Sequence, residues 1–177
     1  MTVEIKRQRQ RGLVVVFVDT DVLSIFAKIQ RLPLLFTVFN EDHLNISTAV
    51  ENELQTGIAK GFGFAQDVIA LHSQGQIVTY HPTAVDQRLT ATLPQTLGSG
   101  ERESMAICKR LNAIFVSNER RVKHHCRENG IDCVNLSEIL RTIWERGILM
   151  QADVRKIITE IETKDNLKFR TTDPIFK

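Results

Sequence analysis

The sequence predicts an α/β protein, a three-layer α/β/α sandwich with a central, mainly parallel, twisted sheet. Leu13 to Val18 form a continuous run of apolar, mostly β-branched residues, which is typical of a strand buried on both faces of a parallel sheet. Further short strand patterns alternate with helical patterns, and this alternation indicates parallel β-α-β units with helices on both faces of the sheet. The length of 177 residues fits one compact domain.

Each remaining element follows from its local pattern. Short β-rich runs between turn residues predict the other strands, at 44–46, 77–80, 113–116 and 131–134. Apolar residues at helical spacing predict the helices, at 22–32, 34–39, 49–57, 64–72, 83–93, 101–111, 119–129, 137–146 and 152–162. Proline or glycine stops three of these helices, at Pro33, Pro94 and Gly130. Ser47 or Thr48 and, later, Ser99 are candidate helix caps. The residues from 164 to 177 show no clear period and are expected to be irregular.

Composition excludes several classes of protein. Hydrophobic residues make up 42% and charged residues 25% of the chain, which excludes a disordered chain, a collagen-like repeat and a coiled coil. Three cysteines without CxxC spacing argue against a disulfide framework or a zinc knuckle and favour a reducing compartment. The N-terminal apolar run is too short for a signal peptide or a membrane span. We therefore expect a cytoplasmic protein with no membrane partner, divided into a basic segment at 1–12, a domain at 13–150 and a C-terminal helix and tail at 151–177.

Basic residues cluster twice, although the formal net charge is only +2. One cluster lies within 1–12 and the other within 120–127, where Arg120, Arg121 and Lys123 stand. Local basic patches can bind phosphate backbones at modest overall charge. Solvated surface residues are the alternative interpretation of both clusters.

Acidic residues occur where strands end or helices begin. Asp19 directly follows the first strand, Glu119 lies just after a later strand, and Glu101 opens a helix. On the helix after the second strand, apolar periodicity slightly favours Glu51 as the core-adjacent acid and cannot by itself choose Glu53. Each acid has an alternative role as a cap or a first-turn residue of a helix. Together they form a candidate site, because sites in parallel sheets lie outside the carboxyl ends of the strands.

Such a cluster of carboxylates points to a metal site. Adjacent carboxylates repel one another, and without cations they take up protons or open the structure. Oxygen ligands suit Mg²⁺ or Mn²⁺, which can bind a phosphate and activate water. The pattern therefore indicates hydrolysis of a phosphodiester.

Four segments resemble the motifs of one known family. They are V-F-V-D-T-D-V-L-S at 16–24, S-T-A-V-E-N-E-L at 47–54, G-E-R-E-S-M-A-I at 100–107 and F-V-S-N-E-R-R at 115–121. In their order and spacing they resemble the PIN-domain family of metal-dependent ribonucleases, and most of all its VapC-type toxins and their prokaryotic relatives.

The resemblance implies a function and a set of site residues. It implies hydrolysis of RNA with one or two divalent ions, Mg²⁺ or Mn²⁺. The implied metal ligands and catalytic acids are Asp19, Glu53, Glu101 and Glu119, and Ser117 would orient a carboxylate or the attacking water. The implied contacts to the RNA backbone are Arg120, Arg121 and Lys123. The resemblance also implies three partners, namely RNA, a cognate antitoxin protein and a second copy of the chain.

Two positions depart from the family pattern and leave alternatives open. Asp21 stands where the family usually has Asn or Ser, and Asn118 with Glu119 stands where it usually has Asp. One alternative is therefore a degenerate PIN domain that binds RNA or a partner without catalysis. A phosphatase of the haloacid dehalogenase type is another, because those chains also begin with a strand and D-x-D, although the Gly-Thr that follows there is missing here.

Other reactive side chains are interpreted as structural. His124 and His125 are adjacent on a predicted helix and point about 100° apart, so a shared metal ion is not expected. Cys126 and Cys133 have no catalytic context and are expected to be small buried residues.

Overall fold

The computed structural model describes residues 14–177 and has a five-stranded sheet at its centre. The strands are β1 Val16–Val18, β2 Leu44–Ser47, β3 Ile77–Tyr80, β4 Ile114–Val116 and β5 Asp132–Val134. Their order in the sheet is β3-β2-β1-β4-β5, and every neighbouring pair is parallel. The predicted fold class and the five predicted strands are confirmed, and β1 is shorter than predicted. Leu13, the first residue of that prediction, lies outside the described residues.

Helices connect and cover the strands. They are α1 Thr20–Lys28, α2 Pro33–Phe39, α3 Thr48–Ala59, α4 Gly63–Ser73, α5 Ala84–Thr92, α6 Ser99–Leu111, α7 Arg120–Glu128, α8 Leu136–Glu145, α9 Gln151–Lys164 and α10 Asp173–Phe176. The first helix begins earlier than predicted because Asp19 caps it through the backbone N–H of Thr20. It also ends earlier, and Gln30 just beyond it has a φ of 58°, which a helix does not allow.

Alternate residues of each strand face two different helical layers, as the period of two in a strand requires. Val16 and Val18 lie in a core with α1 to α4 and α8 to α10, whereas Phe17 lies in a second core with α6 and α7. The three cysteines are buried and free of disulfides, as predicted for Cys126 and Cys133. The sheet is therefore the middle of three layers.

The end of the chain differs from its prediction. Residues 164–177 were expected to be irregular, but Asp173–Phe176 form a short helix with Pro174 in its first turn. The side chain of Ile175 is buried, and its carbonyl accepts a hydrogen bond of 2.6 Å from the indole N–H of Trp144. A helix of four residues is too short to show a period, so its sequence carried no signal. The division of the chain at residue 150 remains a prediction.

Two further expectations from the sequence concern the N-terminal basic cluster and membrane-spanning helices. The basic cluster within 1–12 lies outside the described residues. Among the helices at 14–177, none combines the length and the apolar character that crossing a bilayer requires.

The carboxyl ends of the central strands meet at one edge of the sheet. Val18 at the end of β1 pairs with Val116 at the end of β4, and the N–H of Asp19 donates to the carbonyl of Val116 over 2.9 Å. Ser47 ends β2, the other neighbour of β1. Residues that directly follow these strands are therefore brought together, which is the placement that the candidate site requires.

Candidate functional site

Asp19 lies at the centre of this edge. Its side chain is 4% exposed. One carboxylate oxygen accepts the backbone N–H of Thr20 over 2.8 Å, and the other accepts the hydroxyl of Ser117 over 3.1 Å. Asp19 thus has the capping role that its sequence position allows, and it also contacts the loop after β4.

The electrostatic surroundings of Asp19 are unfavourable to its charge. The pKa of Asp19 is raised from 3.8 to about 7, with burial as the largest cause, and the hydrogen bond from Ser117 opposes that rise. Three neighbouring carboxylates contribute to the raised pKa beside burial, in the order Asp21, Glu101 and Glu53. Acids from separate segments therefore act on one buried carboxylate, as expected of a convergent cluster.

Glu53 points from α3 into the same edge. Its carboxylate accepts hydrogen bonds from the hydroxyl of Thr20, from the N–H of Gly100 at 3.2 Å and from the hydroxyl of Ser99 at 3.5 Å. Glu51 points elsewhere, with an oxygen 3.9 Å from the imidazole of His72. The structure thus places Glu53 beside Asp19 and leaves Glu51 outside, a choice that apolar periodicity could not make.

Gly100 holds Glu53 by close approach of its backbone. A Cβ at this position would lie 2.8 Å from Oε1 of Glu53 and 3.0 Å from Cγ2 of the buried Val50. Both distances are shorter than ordinary contacts, so only glycine leaves the carboxylate where it is.

We expect Gly100→Ala to displace the carboxylate of Glu53. The predicted result is a loss of about 10- to 100-fold in metal affinity, as for other changes that misorient a metal ligand. Overpacking against Val50 should cost about 1–3 kcal/mol of stability. Mn²⁺ titration calorimetry and thermal unfolding measure the two effects. Gly98→Ala is the matched control, because its Cβ would meet Glu101 only at 3.5 Å, and an equal loss in that variant would contradict the steric explanation.

Glu101 begins α6 in a double role. Its carboxylate accepts the N–H of Gly98 over 2.6 Å and closes a capping box, so Gly98 is the cap and the prediction of Ser99 as the cap is wrong. Desolvation raises the pKa of Glu101, and the charges of Glu119 and Asp21 raise it further. Its electrostatic neighbours are therefore the acids of the site.

The loop after β4 contributes a hydroxyl and a fifth acid. Ser117 is fully buried; its hydroxyl donates to Asp19 and accepts the N–H of Glu119 over 3.3 Å. Glu119 caps α7 by position, and its charge raises the pKa values of both Asp21 and Glu101. Glu119, which stands where the family usually has Asp, therefore acts electrostatically on two other acids of the site. We call the five acids described so far, Asp19, Asp21, Glu53, Glu101 and Glu119, the acidic cluster.

Two residues around the acidic cluster, Thr20 and Asp165, were missed by sequence reasoning. Thr20 orients Glu53, and its position directly after Asp19 could have suggested such a role. Asp165, just after α9, raises the pKa of Asp21, although burial is the larger cause. Asp165 also forms an ion pair of 2.6 Å with Lys28. No sequence pattern could predict that Asp165 lies near Asp21, because this proximity depends on how α9 packs against α1.

The arrangement fits a hydrated hard cation. Within 14–177 no three members of the acidic cluster place one oxygen each within 4.8 Å of one another. Thr20 and the N–H of Gly100 donate hydrogen bonds to Glu53, and the N–H of Gly98 donates one to Glu101. Mg²⁺ keeps several waters and commonly binds through one or two carboxylates. Asp19, together with Glu53 and Glu101, whose charges act on it, offers oxygen ligands of the required kind.

The predicted RNA-contacting residues have different surroundings. Arg121 donates to the carbonyl of Thr96 over 3.0 Å, and its charge lowers the pKa of Glu101, against the larger effect of burial. Lys123 is paired with Glu138 at 2.6 Å. Arg120 is exposed at the start of α7. Arg121 is therefore the member of this group that the structure brings towards the acidic cluster.

The expectation that His124 and His125 do not share a ligand site needs correction. Glu128 joins them, because its carboxylate lies 3.3 Å from Nε2 of His124 and 3.0 Å from Nδ1 of His125. One ligand atom from each of the three residues lies within 4.8 Å of the others, and this is the one such group within the described part of the chain. Glu128 lies four residues after His124 and three after His125, so its carboxylate is on the same side of the helix as both rings. The two rings therefore share a neighbour although adjacent helical residues point in different directions.

Two solved structures align with most of the chain. A chain of VapBC2 from Rickettsia felis, bound to a DNA fragment from their promoter, aligns with a TM-score of 0.51 and 18% identity, covering 69% of this chain and 98% of that chain. A PilT N-terminus domain protein from the archaeon Sulfolobus solfataricus P2 aligns with a TM-score of 0.44 and 17% identity, covering 71% of this chain and 90% of that one. A comparison with curated proteins gives no match.

The decisive comparison is with families. A family model described as a PIN domain (DUF3368) matches residues 14–176, which is almost all of the described part. That range includes the parallel sheet and every member of the acidic cluster. The chain belongs to the PIN-domain family, whose members are generally nucleases.

Proposed function

We propose that this protein is an endoribonuclease that depends on Mg²⁺ or Mn²⁺. The observation that carries the proposal is the acidic cluster, in which burial and three neighbouring carboxylates raise the pKa of Asp19 to about 7. A cluster of this kind is costly to the apo protein. A bound cation would offset that cost, and the resemblance of the four motifs to PIN ribonucleases supports RNA as the substrate.

The side chains have separate roles in the proposed reaction. Asp19, Glu53, Glu101 and Glu119 would hold the ion, directly or through its bound waters, and the ion would supply positive charge for the phosphate and lower the pKa of water. Ser117 fixes the orientation of the Asp19 carboxylate, and Thr20 fixes that of Glu53. Arg121, whose charge acts on Glu101, would bind a phosphate of the RNA backbone.

The partners belong to the same proposal. The motif resemblance to VapC-type toxins supports a cognate antitoxin as the protein partner, a homodimer as the assembly and the cytoplasm as the location. Light scattering after size exclusion, with and without a co-expressed antitoxin, tests the two assemblies.

Cleavage of single-stranded RNA tests the proposed activity. Protein stripped with EDTA should be inactive, and Mn²⁺ or Mg²⁺ should restore cleavage. An inactive protein that still binds RNA without a divalent ion would support the binding-only alternative instead. Membership in the PIN family leaves the phosphatase alternative without support.

Glu119 distinguishes an intact site from a degenerate one. We expect Glu119→Gln to weaken Mn²⁺ binding and slow cleavage by about tenfold or more, because it removes a charge that acts on Asp21 and Glu101. Asn118→Asp should keep or raise activity, since it adds a carboxylate to the same loop. Titration calorimetry measures the affinity for Mn²⁺, and the cleavage assay measures the rate. Unchanged affinity and rate in Glu119→Gln would remove this residue from the site.

A further inference from the structure

An open cleft lies directly beside the acidic cluster, between α3 and the start of α4. Its volume is about 550 Å³, within the usual size of a small-molecule site. Glu53 and Ser99, which contact each other at the site, also line the cleft. A ligand in the cleft would therefore touch one of the proposed metal ligands.

An aromatic pair, the exposed Phe62 and the partly buried Phe64, lines this cleft. Phe62 is 48% exposed, and it is the one aromatic residue among the exposed large hydrophobic residues of the described part of the chain. Its ring stacks on Phe64 with centroids 5.8 Å apart and planes 19° from parallel. Phe62 is therefore the aromatic ring of the cleft that is open to a ligand, in the cleft that Glu53 also lines.

The backbone fixes Phe62 in this position. Gly61 has a φ of 81°, a conformation that glycine adopts readily. The N–H of Phe62 donates to the carbonyl of Gly57 over 2.9 Å, and its carbonyl accepts the N–H of Ala65 over 3.1 Å. Gly57 lies under the ring, where a Cβ would be 3.6 Å from Cδ2 of Phe62 and 3.2 Å from Cβ of Ala65. The ring is thus held outward by a turn that glycine makes possible.

Positive charge accompanies the aromatic pair. Lys60 lines the cleft on the turn before Phe62. Lys28 places its ammonium 5.3 Å from the centroid of Phe64 while it pairs with Asp165 at the border of the acidic cluster. Aromatic faces beside lysines are the combination with which proteins bind single-stranded nucleic acid, through base stacking and phosphate contacts.

We propose that the cleft is a nucleobase subsite, in which an unpaired base of single-stranded RNA stacks on Phe62 next to the scissile phosphate at the acidic cluster. The inference rests on the proposed ribonuclease function for the identity of its ligand. Because a base inside a duplex cannot reach the ring, the subsite selects single-stranded RNA. Stacking tolerates every base, so the subsite selects strandedness more than sequence.

Binding without cleavage tests the subsite separately from catalysis. In an Asp19→Asn background, which should not cut RNA, Phe62→Ala should raise the Kd for single-stranded RNA by about 5- to 100-fold. Phe62→Trp should retain binding and Phe62→Leu should not, since leucine is apolar but cannot stack. Val85→Ala is the matched control, because Val85 is also an exposed apolar residue, 53% exposed, and lies on α5 outside the cleft.

An RNA modification locates the stacked base. One abasic site is moved along the oligonucleotide, and one position should lose as much affinity as Phe62→Ala does. At that position Phe62→Ala should cause no further loss, because the two changes remove the same contact. Lys60→Gln should reduce the slope of log Kd against log salt by about 0.7, as expected for one lost contact to a single-stranded phosphate.

The outcomes separate the subsite from the proposed function. If the wild type cleaves RNA while Phe62→Ala leaves both Kd and KM unchanged, the subsite is wrong and the ribonuclease proposal stands. If Phe62→Ala weakens RNA binding in a protein that never cleaves, the subsite stands and the ribonuclease proposal fails. A Phe62→Ala variant that loses a protein partner but binds RNA normally would overturn the subsite and make the cleft a protein interface.

Discussion

Replacement of Asp19 by asparagine is expected to abolish metal-dependent RNA cleavage. The carboxylate lies where β1 ends, is nearly fully buried and has the other acids around it. Changes that only misorient a metal ligand cost about 10- to 100-fold, so loss of a direct ligand should cost about 100-fold or more. Single-turnover cleavage of single-stranded RNA at saturating Mn²⁺ measures the effect, with Ser24→Ala on α1 as a control outside the acidic cluster.

The same substitution should stabilise the apo protein. The pKa of Asp19 rises from 3.8 to about 7 on folding, so between these values the folded state binds more protons than the unfolded state. The free energy of unfolding therefore falls as pH rises from about 4 to 7. The contribution of Asp19 protonation to the free energy of unfolding is complete below a pH of about 4 and is lost above about 7. A difference of about 3 pKa units between the folded and unfolded states corresponds to roughly 4 kcal/mol.

Denaturant unfolding in EDTA at several pH values checks this expectation. Asparagine is uncharged throughout, so Asp19→Asn should equal the wild type near pH 4 and exceed it by about 2–4 kcal/mol at pH 8. Saturating Mn²⁺ should reverse that order, because only the wild type gains stability from the ion. A variant that is less stable than the wild type at pH 8 in EDTA would identify Asp19 as a structural cap alone.

Glu53→Gln and Glu51→Gln are expected to differ sharply, although the two residues are two positions apart on α3. Glu53 accepts hydrogen bonds from Thr20 and Gly100, whereas Glu51 lies near His72. We expect Glu53→Gln to lower kcat/KM by about 100-fold and to weaken Mn²⁺ binding. Glu51→Gln should keep both values within about threefold, because it has no part in the acidic cluster.

Kinetics and Mn²⁺ calorimetry on both variants decide between the two residues. The glutamine side chain has nearly the shape of glutamate, so neither variant should unfold, and thermal unfolding confirms this. Loss of activity in Glu51→Gln with normal activity in Glu53→Gln would mean that the motif had been assigned in the wrong register.

The fold could be predicted because its signals are local and repeated. Each strand is a short apolar run and each long helix has a clear period, so the order of elements follows directly. Errors occurred where backbone details decide, as at Gln30, where a positive φ ends the first helix, and at Gly98, which takes the capping role expected of Ser99. The short helix α10 could not be predicted, because four residues are too few to show a helical period.

The candidate site was partly accessible from sequence for a similar reason. Acids that directly follow strands, such as Asp19, converge in any parallel sheet. Glu53 needed the motif resemblance, because helical periodicity gave it no preference over Glu51. Asp165 and the cleft beside Phe62 depend on how distant helices pack, and no local pattern reports such packing.

Diffraction from crystals soaked in Mn²⁺, recorded for the anomalous signal of manganese, tests the central claim most directly. The claim is that the acidic cluster at the carboxyl edge of the sheet binds the divalent ion. We predict an anomalous peak about 2.1 Å from an oxygen of Asp19, and no such peak in crystals of Asp19→Asn. A peak at His124, His125 and Glu128 alone, with none at Asp19, would contradict the claim.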